Sequence, residues 1–264
     1  MDFETNPTEP HLLSSLAWHW GVPLIALGAM AALVTVGDNV VLFFLMNRAM
    51  APLGDAFWSH LTILGDTTIA ILFMLPFINR RPDLIWQFIL AALLATLWVH
   101  GLKDPMSIVR PPGALPPGSF HIIGPALHHN AFPSGHTTTI FVLAGLFCMQ
   151  RITSWIKVLV LLLAILVGLS RIACGVHWPL DVLGGAFGGW IAAMIGIWVG
   201  QFWRVGLNIW VQRAFALVGT LLAIWSLWFY DNTYPGTGLL QFAISACCLA
   251  LSAPGQMQLF KGRS

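Results

Sequence analysis

The chain has 264 residues, of which 58% are hydrophobic and only 8% are charged. A soluble domain carries about 25% charged residues, so a soluble globular enzyme is a poor fit and nearly all of this chain is expected in or near a lipid bilayer. A net charge of +2 and the lack of a polybasic run give no basis for nucleic-acid binding or for electrostatic docking on anionic lipid.

The N-terminal stretch MDFETNPTEPH is acidic and has no Lys or Arg, the reverse of a secretory leader, so no cleaved signal peptide is expected. The first apolar run, Leu16–Val36, is long enough to cross a membrane. The run Val40–Met46 is too short to cross and is expected to lie at the interface. Seven further runs follow, at Leu61–Ile78, Leu84–Leu102, Ser134–Gln150, Trp155–Ile172, Trp178–Val199, Ala214–Phe229 and Leu239–Ala253. The fold class is therefore all-α, a polytopic membrane helix bundle. Trp20, Trp58, Trp155, Trp178, Trp203 and Trp228 sit near run ends and read as an interfacial belt. Of the four cysteines, Cys148, Cys247 and Cys248 lie in apolar runs and Cys174 has no evident partner, so no disulfide framework is expected.

Eight spans put both termini on one side, and the basic residues orient them. With cytoplasmic termini, the inner segments hold Arg80, Arg81, Arg151, Lys157, Arg204, Arg213, Lys261 and Arg263, and the outer segments hold Arg48, Lys103, Arg110 and Arg171. That division favours the inside and leaves the outer cations in need of a reason. Three of them fall within two of three short polar segments: KDPMSIVRP (Lys103 to Pro111), PSGH (Pro133 to His136) and SRIACGVHWPLD (Ser170 to Asp181), the first holding Lys103 and Arg110 and the last Arg171. All three segments belong to the outer ends of spans three to six, where ionisable groups are costly and point to function.

Three cations, two histidines and one acid suit phosphoryl transfer. Lys103, Arg110 and Arg171 can surround a dianion, arginine by its planar fork and lysine as a compact charge. One histidine can attack phosphorus while the other protonates the leaving oxygen. His177 and Asp181 are i and i+4, with Pro179 tolerated in a first helical turn, so the carboxylate can orient one ring nitrogen and leave the other for attack. His177 is thus the nucleophile candidate, His136 the general acid. Ser134 and Gly135 form a helix start whose free N–H groups suit an anion. Taken singly, each segment has a plainer explanation: an N-cap beside a surface histidine, a pair of loop cations, a structural hydrogen bond. It is their joint occurrence on one membrane face that points to a site.

Together the segments match the pattern K-x6-RP, PSGH, SR-x5-H-x3-D, and the chain resembles the type 2 phosphatidic acid phosphatase (PAP2) superfamily over about residues 55–200. The resemblance implies an all-helical, metal-independent phosphatase of lipid phosphates, with no cofactor. It implies phosphate binding by Lys103, Arg110, Ser134, Gly135 and Arg171, and catalysis by His177, His136 and Asp181. It also implies six core spans, which divides the chain into a catalytic bundle over residues 1–204 and two added spans of unknown role over 205–264. The expected function is hydrolysis of a lipid phosphate or diphosphate through a phosphohistidine, at the outer face of a bacterial inner membrane. A lipid-to-lipid phosphotransferase would use the same site, and a transporter or an inactive lipid-binding protein is the reading from a different class. Undecaprenyl diphosphate, phosphatidylglycerol phosphate, phosphatidic acid and lipid A are all compatible substrates.

Outside the motif, the sixth run carries small residues at Gly184, Gly188, Ala192, Gly196 and Gly200 and a parallel row at Gly185, Gly189 and Ala193. Such rows let helices approach closely, and their drift around the helix means that no single partner can cover them. The stiff segment Pro111–Pro125 is a candidate wall over the site. His121, His128 and His129 fit no common zinc pattern, and no metal is expected there. Asp38 and Asp66 are expected to make polar bundle contacts.

Overall fold

The computed structural model describes residues 10–261, with side chains described from Leu16 onward. The reading of the N-terminus as leaderless lies outside the described residues. The elements are helical: α1 (Pro10–Val36), α2 (Asn39–Met50), α3 (Asp55–Ile63), α4 (Thr67–Met74), α5 (Pro82–Met106), α6 (Pro111–Ala114), α7 (Gly135–Cys148), α8 (Ser154–Ala173), α9 (Pro179–Phe202), α10 (Ile209–Trp228) and α11 (Gly238–Lys261). Among the described residues six helices are long and apolar enough to cross a membrane, and two shorter apolar ones, Thr67–Phe77 and Gly135–Cys148, stand among them.

The two short helices are where sequence and structure part. The expected span Leu61–Ile78 is broken at Gly65–Asp66. Asp66 adopts an extended backbone and caps α4, accepting the N–H groups of Thr68 at 2.7 Å and Ile69 at 3.3 Å. A capped start ends the preceding helix, so α4 and the 3-10 turn after it cover about 16 Å at 1.5 Å per residue, roughly half a hydrocarbon core. Helix α7 is also short, and nearly all of its residues from Thr137 to Cys148 are buried by protein. A helix walled in by neighbours need not match the lipid thickness.

Helix α9 is the hub, and its two rows of small residues serve two partners. A Cβ at Gly188 would strike the Trp98 indole of α5, and one at Gly196 would lie 2.8 Å from the Ala91 nitrogen of α5. On the other row, a Cβ at Gly185 would lie 2.7 Å from the Ser134 carbonyl and 2.9 Å from Thr137 Cβ, and one at Gly189 would strike the Thr138 carbonyl. The drift of the rows thus brings α5 and α7 against adjacent faces of one helix, which fixes the starts of α7 and α9 together.

Arg81 at the start of α5 donates to Gln150 beyond the end of α7 at 2.8 Å. Arg81 and Gln150 therefore meet at the bundle end opposite Lys103 and Ser134. Helices α10 and α11 complete the structure by packing on α4. Ala216, Ala223, Cys248 and Leu259 join the same apolar core as Leu72, Phe88 and Leu146.

Two other expectations need correction. Residues 40–46 belong to the longer helix α2, which does not simply float at the interface. Val40, Val41 and Leu45 are exposed, but Phe43 is fully buried against Phe120 and Trp178. Asn47 donates to the carbonyls of His121 and Ile172 at 3.0 Å. Trp58 and Trp178 are not belt residues. Both are buried, and their indole N–H groups donate at 2.8 Å to the carbonyls of Met50 and Val109. Trp20, Trp155, Trp203 and Trp228 are exposed, as a belt requires. The four cysteines are free thiols.

Candidate active site

Helix ends bring the motif residues together. Lys103 lies in the last turn of α5, which closes at Ser107 in the left-handed conformation. Arg110 precedes α6. Ser134 caps α7, its hydroxyl oxygen accepting from the Thr137 hydroxyl at 2.9 Å. Arg171 lies in the last turn of α8, and His177 occupies the short link to α9.

Asp181 ties these pieces to one another. Its Oδ2 accepts the Trp178 N–H at 2.8 Å, which caps α9, and faces His177 Nδ1 at 3.2 Å. Its backbone carbonyl accepts the Ser134 N–H at 3.0 Å, joining the cap of α7 to the first turn of α9. His177 and Asp181 are 2% and 1% exposed, so neither bond is diluted by water.

On the other side of the ring, Arg110 NH1 lies 3.1 Å from His177 Nε2. A guanidinium can only donate, so Nε2 must offer its lone pair. The proton of the neutral ring then sits on Nδ1, where it donates to Asp181. This is the tautomer that a nucleophilic Nε2 requires. Burial, followed by the nearby charges of Arg110, Arg171, His136 and Lys103, holds the His177 pKa well below its ordinary value, so the ring is neutral near pH 7.

The two arginines are held by neutral oxygens. Arg110 Nε donates to the His129 carbonyl at 2.7 Å, NH1 to that of Val176 at 3.3 Å and NH2 to that of Asn130 at 3.2 Å. Arg171 NH1 donates to the Thr62 hydroxyl at 2.5 Å and the Tyr234 hydroxyl at 2.6 Å. Among the described residues neither arginine is ion-paired with a carboxylate. Lys103 lies within electrostatic reach of both, and all three cations act on His136. Such a group of uncompensated charges around two histidines is built for an anion with several negative oxygens.

Lys103, Gly135 and His136 also line a cavity of about 260 Å³ between α4, α5 and α7. Its deeper wall is apolar, with Ile71, Phe88, Ala95 and Val142, while Thr67 and Thr96 on its edge are exposed. The cation cluster therefore borders a largely apolar cavity whose lining includes exposed residues of α4 and α5.

The structure thus brings together all eight residues expected from sequence: Lys103, Arg110, Ser134, Gly135, His136, Arg171, His177 and Asp181. The sequence reading did not identify Thr62, Tyr234 and Asn47, nor the carbonyls at 128–130 and 176 that hold Arg110. Backbone acceptors leave no signature in side-chain identity. Asn47, a lone amide at the end of the run VVLFFLM, did offer a signal. The segment 111–125 packs against α2 and the end of α8. Asn47 Oδ1 accepts the His121 N–H, and the Ile123 N–H donates to the Cys174 carbonyl. His121 Nε2 lies 2.7 Å from Asp55 Oδ1, and among the described residues no three His, Cys, Asp or Glu side chains gather in a metal-binding cluster. Asp66 makes the polar contacts expected of it.

A membrane-embedded helical bundle with a cation-rich site at helix ends defines the class. The chain matches the PAP2 superfamily over residues 84–205. It is 34% identical to the protein in the crystal structure of Aquifex aeolicus LpxE, with a TM-score of 0.55 over 60% of this chain and 93% of that one. The chain belongs to the PAP2 superfamily. Curated relatives include YbjG of Escherichia coli (strain K12), a candidate undecaprenyl-diphosphatase, 41% identical over 34% of this chain and 49% of that protein. A lipid A 1-phosphatase of Rhizobium etli is 34% identical over 45% of this chain and 54% of that protein. The matched part of the chain spans about half the length of these two relatives.

Proposed function

We propose that this protein is a membrane phosphatase that hydrolyses a lipid phosphate or diphosphate through a phosphohistidine. The observation that carries the reading is the His177 ring, with Nδ1 on Asp181 and Nε2 turned to Arg110. In the reaction, Lys103, Arg110, Arg171 and the α7 start at Ser134–Gly135 bind the phosphoryl oxygens. His177 Nε2 attacks phosphorus, the bond from phosphorus to the lipid oxygen breaks, and His136 gives that oxygen its proton. Asp181 stabilises the positive charge that develops on the His177 ring. Water then attacks phosphorus, His136 takes its proton, the phosphorus–nitrogen bond breaks with its electron pair returning to Nε2, and phosphate leaves.

The lipid's chain occupies the slot between α4, α5 and α7 and reaches it sideways from the bilayer. The excess of Lys and Arg at the opposite end supports cytoplasmic termini and a site on the outer, periplasmic face of an inner membrane. Residues 1–204 form the catalytic bundle and 205–264 are an addition to it. Relatives named for undecaprenyl diphosphate and lipid A support a polyprenyl diphosphate or a lipid A-type phosphate as substrate.

The test is phosphate release from a panel of purified undecaprenyl diphosphate, lipid A, phosphatidylglycerol phosphate and phosphatidic acid, with and without EDTA. The expected result is release from at least one lipid, unchanged by EDTA and abolished in His177→Ala. Transfer of the phosphoryl group to a second lipid without free phosphate would replace hydrolysis by phosphotransfer. Loss of activity in EDTA would refute the metal-independent mechanism.

A further inference from the structure

The chain contains two tyrosines, Tyr230 and Tyr234, and both lie in the loop YDNTY that joins α10 to α11. Each reaches out of the C-terminal pair to the catalytic bundle. The Tyr230 hydroxyl donates to Asp66 Oδ2 at 2.6 Å, at the capped start of α4 beside the slot. The Tyr234 hydroxyl accepts from Arg171 NH1, and its ring lies 5.5 Å from the guanidinium carbon.

Tyr234 is itself firmly held. It is 8% exposed, and its N–H donates to Asn232 Oδ1 at 3.0 Å. Asn232 in turn donates to Gln241 of α11, which donates to the Ser226 carbonyl of α10. The ring lies on Gly124, where a Cβ would fall 2.9 Å from Cε1. The loop is thus a braced platform with its polar end against Arg171.

A planar guanidinium presents its charge in two distinct edges. NH1 of Arg171 is taken by Thr62 and Tyr234, while Nε is buried and has no protein partner among the described residues. Nε and NH2 form the edge that grips two oxygens of one anion. A carboxylate on NH1 would hold the arginine equally well but would cancel its charge and compete with phosphate. Two hydroxyl oxygens fix the plane and leave the charge intact.

We propose that Tyr234, supplied by the C-terminal helix pair, is a positioning residue that works with Thr62 to aim the Nε–NH2 edge of Arg171 at the substrate phosphate. This role gives residues 205–264 a part in the reaction and rests on the phosphatase reading for the identity of the anion.

The test uses the full-length protein in detergent with inorganic phosphate as probe, read by the shift in melting temperature. Tyr234→Phe keeps the ring and removes the acceptor. Thr62→Val removes the other one. Each is expected to weaken phosphate binding about tenfold, the loss of one hydrogen bond to a charged group, beyond the fall in melting temperature that an unpaired NH1 hydrogen causes in its absence. In an Arg171→Lys background, Tyr234→Phe is expected to cause no further loss, because the group it aims is gone. Wild-type phosphate affinity in Tyr234→Phe, or a full additional loss in the Arg171→Lys background, would overturn the proposal. The phosphatase reading fails separately, when the wild-type chain binds phosphate in a Tyr234-dependent way yet releases none from any lipid.

Discussion

Replacing Asp181 in two ways separates its charge from its hydrogen bonds. Both side-chain bonds, from Trp178 N–H and His177 Nδ1, fall on the same oxygen, Oδ2. An asparagine that places its oxygen there keeps both bonds and the His177 tautomer, and loses only the negative charge that stabilises the ring as it becomes cationic. Charge-assisted bonds are worth about 1.5–3 kcal/mol, which corresponds to a rate loss of roughly 10- to 150-fold for Asp181→Asn. Asp181→Ala removes more. It frees the ring to take the wrong tautomer, in which Nε2 carries the proton and cannot attack. It also leaves the Trp178 N–H buried without an acceptor, a cost of about 1–3 kcal/mol, and removes the cap of α9. The assay is single-turnover phosphate release with a melting curve for each variant. The account predicts a folded, slow Asp181→Asn and a destabilised, much slower Asp181→Ala. Equal rates in the two variants would refute the argument that both bonds share one oxygen and set the tautomer.

Two further outcomes are expected. Because burial first, and then the surrounding cations, lower the His177 pKa, the neutral nucleophile persists as pH falls, and the part of the acid-side inflection of kcat/KM that is lost in His177 variants lies below about 6.5. An inflection above that value, measured on an uncharged-tail substrate whose own phosphate ionisation is subtracted, would contradict this. Filling the slot with Ala95→Phe should raise KM for a long-chain lipid phosphate several-fold or more, yet spare turnover of a short-chain soluble ester, since Ala95 lines the cavity about 12 Å along α5 from Lys103. Equal losses on both substrates would remove the slot from the account.

The candidate site was largely legible because its residues stand at fixed spacings in the sequence. His177 and Asp181 are one helical turn apart, and the structure finds them hydrogen-bonded at 3.2 Å. What holds the arginines was hidden for a physical reason. Arg171 meets Thr62 and Tyr234 across 109 and 63 residues, and neither hydroxyl has a local partner in sequence that would mark it. The span count was legible for the long helices, where lipid thickness dictates length. It failed at Leu61–Ile78, although the stretch LGDTT carries a cap signal in Asp66 that apolar averaging conceals. Trp58 and Trp178 misled in the opposite sense, since an indole near a run end suits an interface as well as it suits a buried bond to a carbonyl.

The central claim is that His177 Nε2 carries the phosphoryl group during turnover. Rapid quenching of the enzyme with lipid labelled in its phosphate, followed by digestion and mass spectrometry, tests it directly. The account predicts transient, acid-labile phosphate on His177, present in wild type, absent in His177→Ala and longer-lived in His136→Ala. Label on any other residue, or full turnover with no labelled protein at the earliest times, would contradict it.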